Sequence, residues 1–155
     1  MKAAVFSDTH SNTALMLEAV RRTRPDMIIH LGDLVQDTRC LQSEFPEIPL
    51  YCVRGNCDLY TKAPDRDVVP LGPVKAFITH GHLYNVEWTT DSIAYAAQEE
   101  GCQIAMFGHT HSAMNGELGS IKLLNPGTAG KGRVLTYAWV EVLDNGGIAT
   151  EIRKL

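Results

Sequence analysis

Residues 106–112, Met-Phe-Gly-His-Thr-His-Ser, close an apolar run with a glycine and then set His109 and His111 only two positions apart. The same design recurs upstream. Val5-Phe6 lead to Ser7, Asp8, Thr9 and His10; Ile28–Leu31 lead to Gly32 and Asp33; Tyr51–Val53 lead to Arg54, Gly55 and Asn56; Phe77–Thr79 lead to His80 and Gly81. Carboxylate, amide and imidazole groups together suit first-row divalent metals. Asp8, His10, Asp33, Asn56, His80, His109 and His111 supply two carboxylates, one amide and four imidazoles. A single catalytic zinc commonly takes three protein ligands and a water, so this set is large enough for two ions. Such pairs sit about 3.5–4 Å apart and share a ligand. Asp33, lying between the two ligand groups, is the expected bridge.

Other polar residues have plainer readings. In an extended chain residues i and i+2 point the same way, which groups Asp8 with His10 and His109 with His111, and turns His30 away from its strand neighbours. His30 therefore reads as a hydrogen-bonded structural histidine. His82 reads either as a partner of a ligand histidine or as a loop residue. Asn12 and Asp58 could stand behind the ligands, with helix capping the alternative for Asn12. Arg39, Arg54 and Arg133 read as solvated arginines, with substrate phosphate as the alternative partner. The Asn125–Thr128 turn could face the metals. Trp88 and Tyr84 read as packing residues that could instead wall a pocket.

D-T-H at 8–10, G-D at 32–33, G-N-C-D at 55–58, H-G-H at 80–82 and G-H-T-H at 108–111, in this order, resemble the calcineurin-like metallophosphoesterases. The match is closest to their small single-domain phosphodiesterase branch. The resemblance implies an α/β fold of two packed mixed β-sheets flanked by α-helices, a four-layer sandwich with the metals at one end. It implies that Asp8, His10 and His111 hold one ion, Asn56, His80 and His109 the other, and Asp33 both. It also implies that Asp33, Asn56 and His109 act at the reacting phosphate. The expected reaction is hydrolysis of a phosphodiester by a metal-bound hydroxide attacking phosphorus, with no protein nucleophile. Family members often carry a histidine after the motif asparagine, regarded as proton donor to the leaving alkoxide. Here that residue is Cys57. Loss of a general acid favours esters with acidic leaving groups, such as aryl phosphodiesters. Two divalent ions are expected, manganese first, with iron, zinc, nickel or cobalt as alternatives. The alternative functions are a phosphomonoesterase, or a non-catalytic protein-binding scaffold, the role the fold takes in a retromer subunit.

The elements that must position these residues follow from the apolar patterning. Strands are expected at 2–6, 26–31, 49–53, 74–79 and 103–107, with a crossover helix between the first two, capped by Ser11 or Asn12 and stopped by Pro25. A second helix is expected from Asp91, as N-cap, to Gly101. Residues 64–73, rich in proline, read as a loop. Asn115-Gly116 and Asn145-Gly146 read as hairpin turns in a mostly antiparallel C-terminal third. At 155 residues the chain is one domain, 1–155, large enough for a substantial core. The net charge of −4 excludes an extended nucleic-acid surface. No leader or membrane-length apolar segment is apparent, so a cytoplasmic location and no membrane partner are expected. The expected partner is a small phosphodiester, and antiparallel edge strands could support a homo-oligomer. Cys40, Cys52, Cys57 and Cys102 form no C-x-x-C pair, and all but Cys57 read as small buried hydrophobes.

Overall fold

The computed structural model describes residues 1–155. Ten strands and three helices follow one another as β1 (Lys2–Phe6), α1 (Ala14–Thr23), β2 (Met27–His30), α2 (Thr38–Glu44), β3 (Leu50–Cys52), β4 (Arg66–Leu71), β5 (Val74–Thr79), α3 (Asp91–Glu99), β6 (Ile104–Met106), β7 (Met114–Leu118), β8 (Ile121–Asn125), β9 (Thr136–Val142) and β10 (Ile148–Lys154). They form two five-stranded mixed sheets, ordered β10-β9-β1-β2-β3 and β4-β5-β6-β8-β7. β1, β2 and β3 run parallel in the first sheet; β5, β6 and β8 run parallel in the second.

The strands read as near-continuous apolar runs because both of their faces are covered. Ala3, Val5 and Ile29 of one sheet and Ala76, Ile78 and Met106 of the other share the central core. Residues alternating with these pack outward. Ala4, Phe6 and Ile28 meet Met16, Ala19 and Val20 of α1 and Leu41 of α2, while Phe77, Ala105 and Phe107 meet Ile93 and Ala97 of α3. Each such large apolar side chain adds about 1.5–3 kcal/mol on burial. The result is a helix, sheet, sheet, helix sandwich. Parallel strands send their carboxyl ends to the same end of a sheet, so the loops after β1, β2, β3, β5 and β6 gather there.

Several local expectations need correction. Residues 66–71 form β4 rather than a loop; this strand pairs only with β5, so Pro70 sits on an edge where its missing N–H costs little. Asn115-Gly116 lie inside β7, and the chain turns instead at Gly119-Ser120, where Gly119 has φ +60°. Asn145-Gly146 do lie in the β9–β10 turn. The N-cap of α1 is Thr13, with no side-chain cap bond, so Ser11 and Asn12 are not caps. Asp91 is the first residue of α3, with Thr90 as its N-cap. The helix α2 was not expected. All four cysteines are free; Cys102 is buried, but Cys40 and Cys52 are only half-buried. No helix is long and apolar enough to cross a membrane.

Candidate metal centre

The chain does not leave β1, β2 and β6 in extended form. Asp8 (φ +55°), His10 (+45°), Asp33 (+59°), His109 (+67°) and His111 (+56°) all adopt left-handed backbone. Each such non-glycine residue costs about 1–3 kcal/mol and persists only where its surroundings over-determine it. These turns also overrule the extended-chain expectation for the last pair. His111 swings toward Asp8 and His10, whereas His109 swings toward His80.

Asp8, His10, Asp33 and His111 form one tight group whose ligand atoms all lie within 4.8 Å of one another. The Nε2 atoms of His10 and His111 face each other at 3.4 Å. His111 Nε2 also lies 3.1 Å from Asp8 Oδ1. That separation is short, yet the buried Asp8 Oδ1 receives no hydrogen bond; the alignment is that of two atoms aimed at a common point. An unsatisfied buried carboxylate oxygen beside converging imidazole nitrogens is what a cation relieves, so the donors present fit a metal.

A second group lies across Asp33. His80 Nδ1 donates to Leu31 O at 2.7 Å, which leaves Nε2 as the free nitrogen, 3.1 Å from Asn56 Oδ1 and 3.5 Å from Asp33 Oδ1. The other oxygen, Asp33 Oδ2, lies 3.9 Å from His10 Nε2. One carboxylate therefore faces both groups. Burial opposes its ionisation, but the Cys57 N–H and the His80 ring outweigh this and hold Asp33 below the usual carboxylate range. The His109 ring lies 5.1 Å from that of His80, centroid to centroid. Its Nε2 donates to Glu87 Oε1 at 2.5 Å, which turns Nδ1 into the unprotonated nitrogen.

Behind these side chains stands a rigid frame. Asp58 accepts the N–H groups of Asp33 (3.0 Å), Val35 (2.8 Å) and Gly55 (2.9 Å), tying the loop after β2 to the loop after β3. Asn125 donates to Gly108 O, and Thr128 Oγ1 donates to Asp8 O, so the 125–128 turn braces the loops after β6 and β1. His30 accepts the Gly32 N–H at Nδ1, which gives Nε2 the proton; Nε2 faces Thr9 Oγ1, and Thr9 donates onward to Asp37. Burial holds His30 neutral, with its pKa lowered to about 4. It is a structural histidine. Gly55 and Gly108 permit close approaches within this frame, since a Cβ on the first would overlap Asp33 and on the second Ser7 Oγ.

The remaining residues fall as follows. His82 packs 5.4 Å from the His80 ring, and burial together with His80 and His109 lowers its pKa. Arg54 is paired with Asp65 at 2.6 Å, and Arg133 is exposed. Tyr84 packs edge-on against Phe77. Trp88 is 88% exposed. Partial desolvation and the Asp33 carboxylate push the Cys57 thiol up to about 11, so it is not a thiolate nucleophile. The sequence reading missed Glu87 and Asp37. Glu87 is an exposed acid in an irregular loop, and Asp37 ends a short 3-10 turn; neither follows a strand-like apolar run that would mark its place.

Comparison with known proteins follows this geometry. The family model for the calcineurin-like phosphoesterase superfamily domain matches residues 1–145. The Bacillus subtilis (strain 168) protein named "Probable metallophosphoesterase YsnB" is 32% identical over 130 residues, covering 83% of this chain and 75% of that one. A phosphodiesterase of Methanocaldococcus jannaschii is 26% identical over 144 residues, covering 82% of this chain and 83% of that one. Vps29 of Entamoeba histolytica, solved in complex with zinc, superposes with a TM-score of 0.78 at 20% identity over 99% of each chain.

Proposed function

Because the chain belongs to the calcineurin-like phosphoesterase superfamily, we propose that it is a cytoplasmic, dinuclear-metal phosphodiesterase acting on small substrates. Asp8, His10 and His111 would hold one ion, Asn56, His80 and His109 the other, and Asp33 would serve both. The observation that carries this reading is Asp33, whose two oxygens face the two groups at 3.9 Å and 3.5 Å. The buried, unsatisfied Asp8 Oδ1 supports it further. When bound, divalent ions supply an activated water and neutralise charge on the phosphate oxygens. The protein's own share is to fix the donors. Leu31 O and Glu87 set which nitrogen of His80 and of His109 is free, and Asp58 locks the loops that carry Asp33 and Asn56. Manganese is the expected ion, with iron, zinc, nickel and cobalt sharing the same donor preferences.

Cys57, un-ionised beside Asp33, takes the place where relatives carry a proton-donating histidine. A thiol held at about 11 is a far weaker acid than an imidazolium, so the leaving group receives little help in departing, which favours aryl diesters. The test uses metal-stripped protein with each divalent ion added back, assayed on bis(p-nitrophenyl) phosphate and p-nitrophenyl phosphate. Faster turnover of the diester with manganese is expected, and Cys57→His should shift the ratio toward less acidic leaving groups. Silence with every ion selects the protein-binding scaffold instead, a reading that the likeness to Vps29 keeps in view.

A further inference from the structure

A cavity of about 600 Å³ has Cys57 and Asp58 in its lining, next in the chain to Asn56, and none of the seven expected ligands. One wall is the 3-10 turn and start of α2, with Gln36, Arg39 and Gln42; the other is the loop that carries Cys57, Tyr60 and Lys62. Cys57 is the partition between cavity and centre. Its N–H donates to Asp33 Oδ1 at 3.0 Å, and its sulfur receives the Asn56 amide at 3.5 Å. A molecule filling the cavity therefore ends one residue from the expected ligands. That volume suits a small-molecule arm.

The charge of the lining points to the kind of arm. The cavity has one acidic residue, Asp58, whose carboxylate is already taken by three backbone N–H groups. Arg39 and Lys62 are the two basic residues of the lining, and no carboxylate pairs with either. In a chain of net charge −4, two unpaired cations around a cavity that lacks a free carboxylate are suited to an anion, with the guanidinium fork matched to a phosphate. Tyr60, fully exposed at the rim, offers a flat face to a ring.

We propose that this cavity holds one arm of a small phosphodiester substrate, and that the arm carries a second phosphate taken by Arg39 and Lys62. A nucleotide bearing a further phosphate has this chemistry. The inference rests on the phosphodiesterase reading. Its test compares two p-nitrophenyl esters of thymidine 5′-phosphate, one with and one without a 3′-phosphate, on manganese-loaded protein. The 3′-phosphate should raise kcat/KM about tenfold, as expected of a hydrogen-bonded contact to a charged group. The Arg39→Ala/Lys62→Ala variant should bring that ratio close to one. Arg22→Ala/Arg24→Ala, which removes the same charge from the C-terminal end of α1, outside this cavity, should preserve it. Equal kcat/KM for the two esters in the unmodified protein, or a ratio that survives loss of Arg39 and Lys62, overturns the site. Calorimetry with adenosine 3′,5′-bisphosphate and adenosine 5′-monophosphate separates the two claims. Tighter bisphosphate binding that depends on Arg39 and Lys62, without hydrolysis of any ester, retains the site and rejects the diesterase; equal binding rejects the site whatever the hydrolysis.

Discussion

His109 differs from the other imidazoles of the centre. Its Nε2 proton is committed to Glu87 at 2.5 Å, so only Nδ1 can face inward. A carboxylate behind a ligand imidazole fixes the ring and raises its basicity, and losing one typically weakens metal affinity about 10–100-fold. In the proposed two-ion centre, Glu87→Ala should therefore weaken one manganese-binding step by about that factor, read by calorimetric titration; an unchanged isotherm would show that the contact is incidental. Glu87 already sits below the usual carboxylate range, first through its own backbone N–H and then through His109. Each of the seven expected ligands follows a mostly apolar run that fixes its place in the chain, and the structure draws Asp8, His10, Asp33 and His111 into one group. Glu87 was not legible. It lies in an irregular loop next to the exposed Trp88, and nothing in its neighbours says that a histidine 22 residues later comes within reach.

At the level of elements, the five strands that feed the site were readable because burial on both faces leaves them few polar positions. β4 was hidden by Pro70, since the sequence does not say which strand lies at an edge. The loops were the least readable. Left-handed backbone at Asp8, His10, Asp33, His109 and His111 is imposed by contacts with other loops, and it separates His109 from His111. Gly108 is where two of those loops meet. A Cβ there would overlap Ser7 Oγ and come 3.0 Å from Asp8 Oδ2. Gly108→Ala should cost about 1–3 kcal/mol in urea unfolding, in the range of overpacked cores, and should also displace Asp8 and lower metal stoichiometry. Wild-type stability together with full metal loading would refute this close approach.

The whole molecule carries a buried neutral histidine between its metal loops and its first helix layer. His30 has a folded pKa of about 4 against an ordinary 6.5. Between these values the unfolded chain binds a proton that the folded one refuses, so stability falls as pH drops through that window and levels off below it. At 1.36 kcal/mol per pKa unit the loss amounts to about 3 kcal/mol. Chemical unfolding of metal-free protein at pH 7 and pH 4.5 should show this decline, and His30→Gln should flatten it. A variant with the same pH slope would assign the acid lability to the other histidines. The sequence by itself determined the donor types, their order and the strands that deliver them, because apolar periodicity and residue chemistry are local properties. The family resemblance already divided the histidines between two groups; only the tertiary structure decided which imidazole nitrogen is free and which cavity lies beside Cys57. Those depend on loops held in costly conformations by partners far away along the chain, and no stretch of sequence contains both halves of such a contact.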